Sequence, residues 1–217
     1  ERVDDGHLVA ARHQGVDDVR ADEARASRDD RAHRQHPTDG RRMRPMFVTF
    51  EGLDGSGKST QAELLLERLE ADGEEVVATR EPGGTELGEK IRDLVLHGGH
   101  VTPWAEALLY AAARAQHVDE VIRPALERGA SVVCDRYVDS SVAYQGVARG
   151  LGLERVLDLN LAAVGGLMPD RTFLLALDIA HLPDRLRREH DRLERESDEF
   201  HARADAGYRE LAARFPE

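Results

Sequence analysis

The chain has 217 residues, 41% of them hydrophobic, and a formal net charge of −12. That length allows one α/β domain of ordinary size, alone or with a tail. The acidic balance argues against a nucleic-acid partner, whose binding face would be basic. The longest apolar runs, such as Thr172–Leu177, are too short to cross a bilayer, so no membrane partner is expected either. The single Cys134 forms no internal disulfide and no N-terminal apolar run resembles a signal peptide, so the expected location is cytoplasmic.

Residues 1–44 hold one Leu and no Phe, Tyr, Trp or Ile. Such a segment cannot offset its ordering entropy by apolar burial. It is expected to be a disordered extension, an upstream stretch with Met43 or Met46 as the real first residue. The folded domain is expected over 45–217. There, Met46–Phe50 reads as a short buried strand, followed by a Gly-rich turn and a helix through Ala71. A strand is predicted over Glu75–Thr79, helices over Glu86–Leu96 and Pro103–Arg128, then strands over Ser131–Cys134 and Thr172–Leu177, with helical segments between and after them. Strands alternating with helices predict a parallel sheet flanked by helices on both faces.

The strongest signal is Gly52-Leu53-Asp54-Gly55-Ser56-Gly57-Lys58-Ser59, a full match to G-x-x-x-x-G-K-[ST] between a strand and a helix. Glycines let the backbone wrap a phosphate and aim its N–H groups inward, and the helix N-terminus adds the positive end of its dipole. Lys58 would reach the β- and γ-phosphates, and the Ser59 hydroxyl would ligate Mg²⁺. This predicts an ATP-binding loop over Gly52–Thr60 but no particular reaction. Asp135-Arg136-Tyr137, at the end of the strand beside it, places a carboxylate for Mg²⁺ and an arginine for phosphate at the same crevice.

The segments Phe50–Thr60, Thr79-Arg80-Glu81-Pro82-Gly83-Gly84-Thr85, Leu108–Arg114, Asp135-Arg136-Tyr137, Ala143-Tyr144-Gln145-Gly146 and Asp191-Arg192-Leu193-Glu194 stand in the order and spacing of thymidylate kinases. From about Met46 onward the chain resembles that family. The resemblance implies the nucleoside monophosphate kinase type of the P-loop fold, ATP and dTMP as substrates, Mg²⁺ as cofactor and a homodimer. It implies that Asp54, Arg80 and Arg136 bind the dTMP phosphate. It puts Tyr110 against thymine, with Arg114, Ser141 and Gln145 on the base and Tyr144 beneath the deoxyribose. Some members carry a catalytic Arg after the P-loop Asp; here that position is Gly55. The charge is therefore expected from a basic lid, with Arg188 and Arg192 favoured among Arg185, Arg187, Arg188 and Arg192. Lys58, Asp54, Arg136, Arg188 and Arg192 form the expected catalytic set, and Ser59 with Asp135 the expected metal ligands.

Family members continue beyond Phe215-Pro216-Glu217 with a further strand, an adenine loop and a closing helix, so the domain is expected to be short at its C-terminus. Two alternatives stay open on sequence. One is a kinase for another nucleoside monophosphate. The other is a nucleotide-binding fragment without turnover.

Overall fold

The computed structural model describes residues 8–11, 44–177 and 191–215. Strand β1 spans Leu8–Ala11 and β2 Phe47–Glu51; then come α1 (Lys58–Ala71), β3 (Val76–Arg80), α2 (Glu86–His97) and α3 (Pro103–His117). A π-helical turn at Val118–Ile122 leads into α4 (Arg123–Glu127), followed by β4 (Ser131–Asp135) and α5 (Val138–Ser141). A second π-helical segment, Val142–Ala148, precedes α6 (Leu153–Ala163), β5 (Arg171–Leu175) and α7 (Asp198–Arg214).

The sheet order is β1-β5-β2-β4-β3. Strands β5, β2, β4 and β3 are parallel, with Phe50 opposite Asp135 and Phe173. Every residue of β2 is buried because helices cover both faces. Its alternation sorts the core: Phe47 joins Val132 and Cys134 on one face, while Val48 and Phe50 join Leu69 and Val133 on the other.

Two elements differ from expectation. Leu8–Ala11 lies in a segment expected to have no regular structure, yet it pairs antiparallel with β5, Leu8 opposite Leu175 and Ala11 opposite Thr172. A sheet edge offers unpaired N–H and C=O groups, so a short strand can add to it through its backbone alone. The parallel sheet therefore carries one antiparallel edge. The single helix expected over Pro103–Arg128 is broken by the π turn, where Arg123 N–H reaches back to the Val118 carbonyl. Pro124 cannot donate to the carbonyl four residues before it and crowds it, and the wider turn just upstream accommodates that.

The second π segment packs tightly against α7. A Cβ on Gly207 would sit 3.0 Å from Ala143 Cα, so glycine lets the two backbones approach. That approach carries Tyr208 of α7 toward the carboxyl end of β2.

Candidate active site

The crevice opens where β2 ends between β4 and β5, the switch point of the sheet. Gly52 turns the chain there with φ 135°, and a Cβ on it would lie 2.5 Å from the Leu175 carbonyl oxygen. Only glycine passes so close to β5. Lys58 opens α1 and is buried, donating through Nζ to the Leu53 carbonyl at 2.8 Å. Burial, and then the charge of Arg136, lower its pKa to about 8. Ser59 and Thr60 are exposed on the first turn of α1. The Ser59 hydroxyl donates to Asp135 Oδ2 at 2.6 Å, while Asp135 Oδ1 is buried without a hydrogen-bond partner.

Arg136 links this loop to the next cavity. Its φ of 72° turns the chain back after β4, and its guanidinium donates to Asp54 Oδ1 at 2.7 Å, the Gly52 carbonyl at 2.9 Å and the Tyr208 hydroxyl at 3.0 Å. Burial pushes the Asp54 carboxyl up, but Arg136 and Lys58 outweigh it and hold it well below the usual carboxylate range. Asp54 Oδ2 also accepts from the Tyr144 hydroxyl at 3.2 Å. Behind them lies Glu51, which accepts from Tyr137 N–H at 2.7 Å, the Ser140 hydroxyl at 2.5 Å and the Tyr208 hydroxyl at 3.3 Å. Burial, with the charge of Asp139, raises its pKa from 4.5 to about 7.

The cavity beside Asp54 and Arg136 is lined by Tyr110, Arg114, Ser141, Tyr144 and Gln145, so it unites most of the predicted acceptor residues. Arg114 is 2% exposed and serves as a structural hub. Its Nε donates to Glu81 at 2.6 Å, Nη1 to Ser141 at 2.9 Å and to Asn160, and Nη2 to the Tyr137 carbonyl at 2.8 Å. Among the described residues, one of its five N–H groups, on Nη2, has no partner. Glu81 also meets His117 Nδ1 at 2.9 Å, and His117 Nε2 meets the Thr79 hydroxyl at 2.7 Å.

Two predicted arginines lie elsewhere. Arg80 is exposed, pairs with Glu89 at 3.2 Å, and lines a groove with Ser59 and Asp135 rather than the acceptor cavity. Arg192 donates to the Val95 carbonyl at 2.7 Å and to buried Glu106 at 2.5 Å. Its motif has a local purpose: Asp191 Oδ1 accepts from the N–H groups of Leu193 and Glu194, and Glu194 reaches back to Asp191 N–H. This is the reciprocal arrangement of a capping box. Arg185, Arg187 and Arg188 lie outside the described residues.

Arg92 lines the cavity and escaped the sequence reading. It donates to the Pro82 carbonyl at 2.9 Å, and burial followed by the Arg80 charge lowers its pKa. The available signal was its place between Gly88 and Leu96, both buried, at i, i+4 and i+8 on α2. Glu106 escaped as well, four residues before Tyr110 on the buried face of α3.

A phosphate cradle at the switch point of a parallel sheet, joined by one arginine to an enclosed acceptor cavity, is the plan of the nucleoside monophosphate kinases. The thymidylate kinase family model matches residues 50–217. A thymidylate kinase of Clavibacter sepedonicus is 57% identical over 179 residues, covering 81% of this chain and 85% of its own. One from Pelotomaculum thermopropionicum is 52% identical over 179 residues, covering 80% and 83%. The crystal structure of a thymidylate kinase from Ehrlichia chaffeensis matches with a TM-score of 0.68 at 35% identity, over 80% of this chain and 85% of that one. The chain belongs to the thymidylate kinase family, whose members are ATP-dependent phosphotransferases. Among the described residues, no helix is long and apolar enough to cross a membrane.

Proposed function

We propose that this chain moves the γ-phosphoryl group of ATP to dTMP, giving dTDP and ADP, with the donor on loop 52–60 and the acceptor in the adjoining cavity. The observation that carries this is the Asp54–Arg136 pair, which belongs to the P-loop and to the cavity wall at once. An acceptor phosphate meeting Arg136 lies beside the donor loop, and transfer then depends on positioning and electrostatics. Arg92 supplies a second cation on the cavity wall, and Asp54 orients the incoming phosphate. Tyr110 and Tyr144 take the base and sugar, and Arg114, Ser141 and Gln145 read the base. Lys58 leaves the Leu53 carbonyl for the donor phosphates. Arg188 is assigned to the transition state on family resemblance and on the neutral Gly55. Arg80 is assigned to the acceptor phosphate on resemblance alone.

The residues for a metal fit Mg²⁺, which favours oxygen ligands and keeps several waters. Ser59 Oγ and the unpartnered Asp135 Oδ1 offer such oxygens beside the loop. When bound, the ion would supply charge neutralisation to the donor phosphates. The reading extends to a homodimer through α2 and α3, where Leu87, Leu94, Trp104 and Leu108 are exposed, and to a cytoplasmic location. The kinase domain is assigned to 45–217, with Leu8–Ala11 adding an edge strand to its sheet.

The test is ADP release with dTMP, dUMP, dCMP and thymidine as acceptors. Turnover should be greatest with dTMP and negligible with thymidine, which brings no phosphate to Arg136. Equal turnover of thymidine would overturn the acceptor assignment.

A further inference from the structure

Glu106 is fully buried on α3 behind the acceptor cavity, with no counterpart in the chemistry assigned so far. Its Oε1 accepts from Gln145 Nε2 at 2.9 Å and Arg149 Nε at 3.3 Å. Its Oε2 accepts from Arg149 Nη2 at 3.3 Å and Arg192 Nη2 at 2.5 Å. A carboxylate held between two guanidiniums offers acceptors only. The Gln145 side chain must therefore turn its amino group toward Glu106. Its carbonyl oxygen, on the opposite side of the amide, accepts no hydrogen bond among the described residues, and Gln145 lines the cavity.

We propose that Glu106 is a positioning residue that sets base specificity by fixing the Gln145 amide with its carbonyl toward the base. The proposal rests on the acceptor assignment above. At Gln145 the cavity wall then presents an acceptor, Oε1, beside donors from Arg114 Nη2 and from the Ser141 hydroxyl, whose oxygen already accepts from Arg114. That pattern complements an imide edge, with N3–H donating and the ring carbonyls accepting. Thymine and uracil have this edge. Cytosine offers a bare N3 and an amino group, so it would set acceptor against acceptor in a buried place. Arg149 and Arg192 balance the buried charge, and Arg192 thereby ties the turn at 191–194 to base reading.

The test is Glu106→Gln in the full chain, assayed with dTMP, dUMP and dCMP. The two arginines need an acceptor, so the introduced glutamine must give them its carbonyl and turn its amino group to Gln145. The Gln145 amide then flips and shows the base a donor. The ratio of kcat/KM for dTMP over dCMP should fall about tenfold or more, since the flipped amide sets a mismatched hydrogen bond in a buried place. The dTMP-to-dUMP ratio and the KM for ATP should hold. A swap, Glu106→Gln with Gln145→Glu, returns an acceptor to the cavity and should restore most of the dTMP preference. Equal losses for dTMP and dCMP in Glu106→Gln would make Glu106 a structural residue and overturn the proposal. Should that variant fail to fold, the swap decides alone: failure to prefer dTMP over dCMP overturns the proposal. A wild-type chain that phosphorylates neither dTMP nor dUMP overturns the acceptor assignment and this inference with it, an outcome distinguishable from an unchanged ratio in an active enzyme.

Discussion

On the donor side, residues 52–57 work through backbone: Gly52, Gly55 and Gly57 hold positive φ values, and the first turn of α1 is open to solvent at Ser59 and Thr60. On the acceptor side, the wall is built from side chains of separate elements: Tyr110 and Arg114 on α3, Arg136 after β4, Tyr144 and Gln145 on the π segment and Arg92 on α2. Nearly all are held by other buried groups. The donor loop can bind any nucleoside triphosphate phosphate chain that fits its N–H groups. The acceptor wall can discriminate, because Arg92, Arg114, Arg136, Tyr144 and Gln145 each already hold a protein partner and only particular donors and acceptors remain.

Substitutions can separate the two sides. Lys58→Ala should lower turnover at least ~10³-fold, the scale on which phosphoryl transfer depends on a single cation. Circular dichroism should stay native, because among the described residues the Lys58 side chain hydrogen-bonds only to its own loop. Turnover near wild type would remove the loop from the chemistry. Arg114→Ala should act on the fold as well as on dTMP. It strands Glu81 without its guanidinium partner, and breaking a buried pair costs about 3–5 kcal/mol. Denaturant unfolding should show this loss without any ligand; an unchanged midpoint would mean the network relaxes at no cost.

The third test concerns Glu51, behind the junction of the two sides. Its folded pKa of about 7 lies above the ordinary 4.5, so the folded state binds its proton more tightly. Its contribution is therefore most favourable below pH 4.5 and declines as pH rises to about 7. Over that window the loss is about 3 kcal/mol at most. Asp54 runs the opposite way: its depressed pKa contributes stability above the ordinary carboxylate value and loses it in acid. Glu51→Gln should flatten the decline between pH 4.5 and 7, seen as a smaller pH dependence of unfolding free energy than in wild type. An identical slope would assign the decline to other groups.

The donor side was legible in sequence because its chemistry is contiguous: one loop, one strand and one helix, punctuated by glycines. The acceptor cavity was legible only through family resemblance, which supplied Tyr110, Arg114, Ser141, Tyr144 and Gln145. Spacing alone could not show that four of the five Arg114 N–H groups are taken by Glu81, Ser141, Asn160 and Tyr137, since those partners come from three separate parts of the chain. Arg92 and Glu106 carry no motif of their own, and their places in the cavity wall and behind it depend on how α2 and α3 pack. The break at Val118–Ile122 was hinted at by Pro124, and the pairing of Leu8–Ala11 was invisible because an edge strand needs little from its side chains.

The hydrogen bond from the Tyr208 hydroxyl to Glu51 spans 157 residues of sequence, and the same hydroxyl accepts from Arg136. During synthesis the phosphate loop leaves the ribosome early, yet the arginine beside it gains this partner only after α7 has emerged. At about 5–20 residues per second, that interval is on the order of ten seconds. Until then the Arg136 guanidinium lacks one of its hydrogen-bond partners among the described residues. The hydrogen-bond network around Arg136 and Glu51 is therefore complete only once α7 has been made.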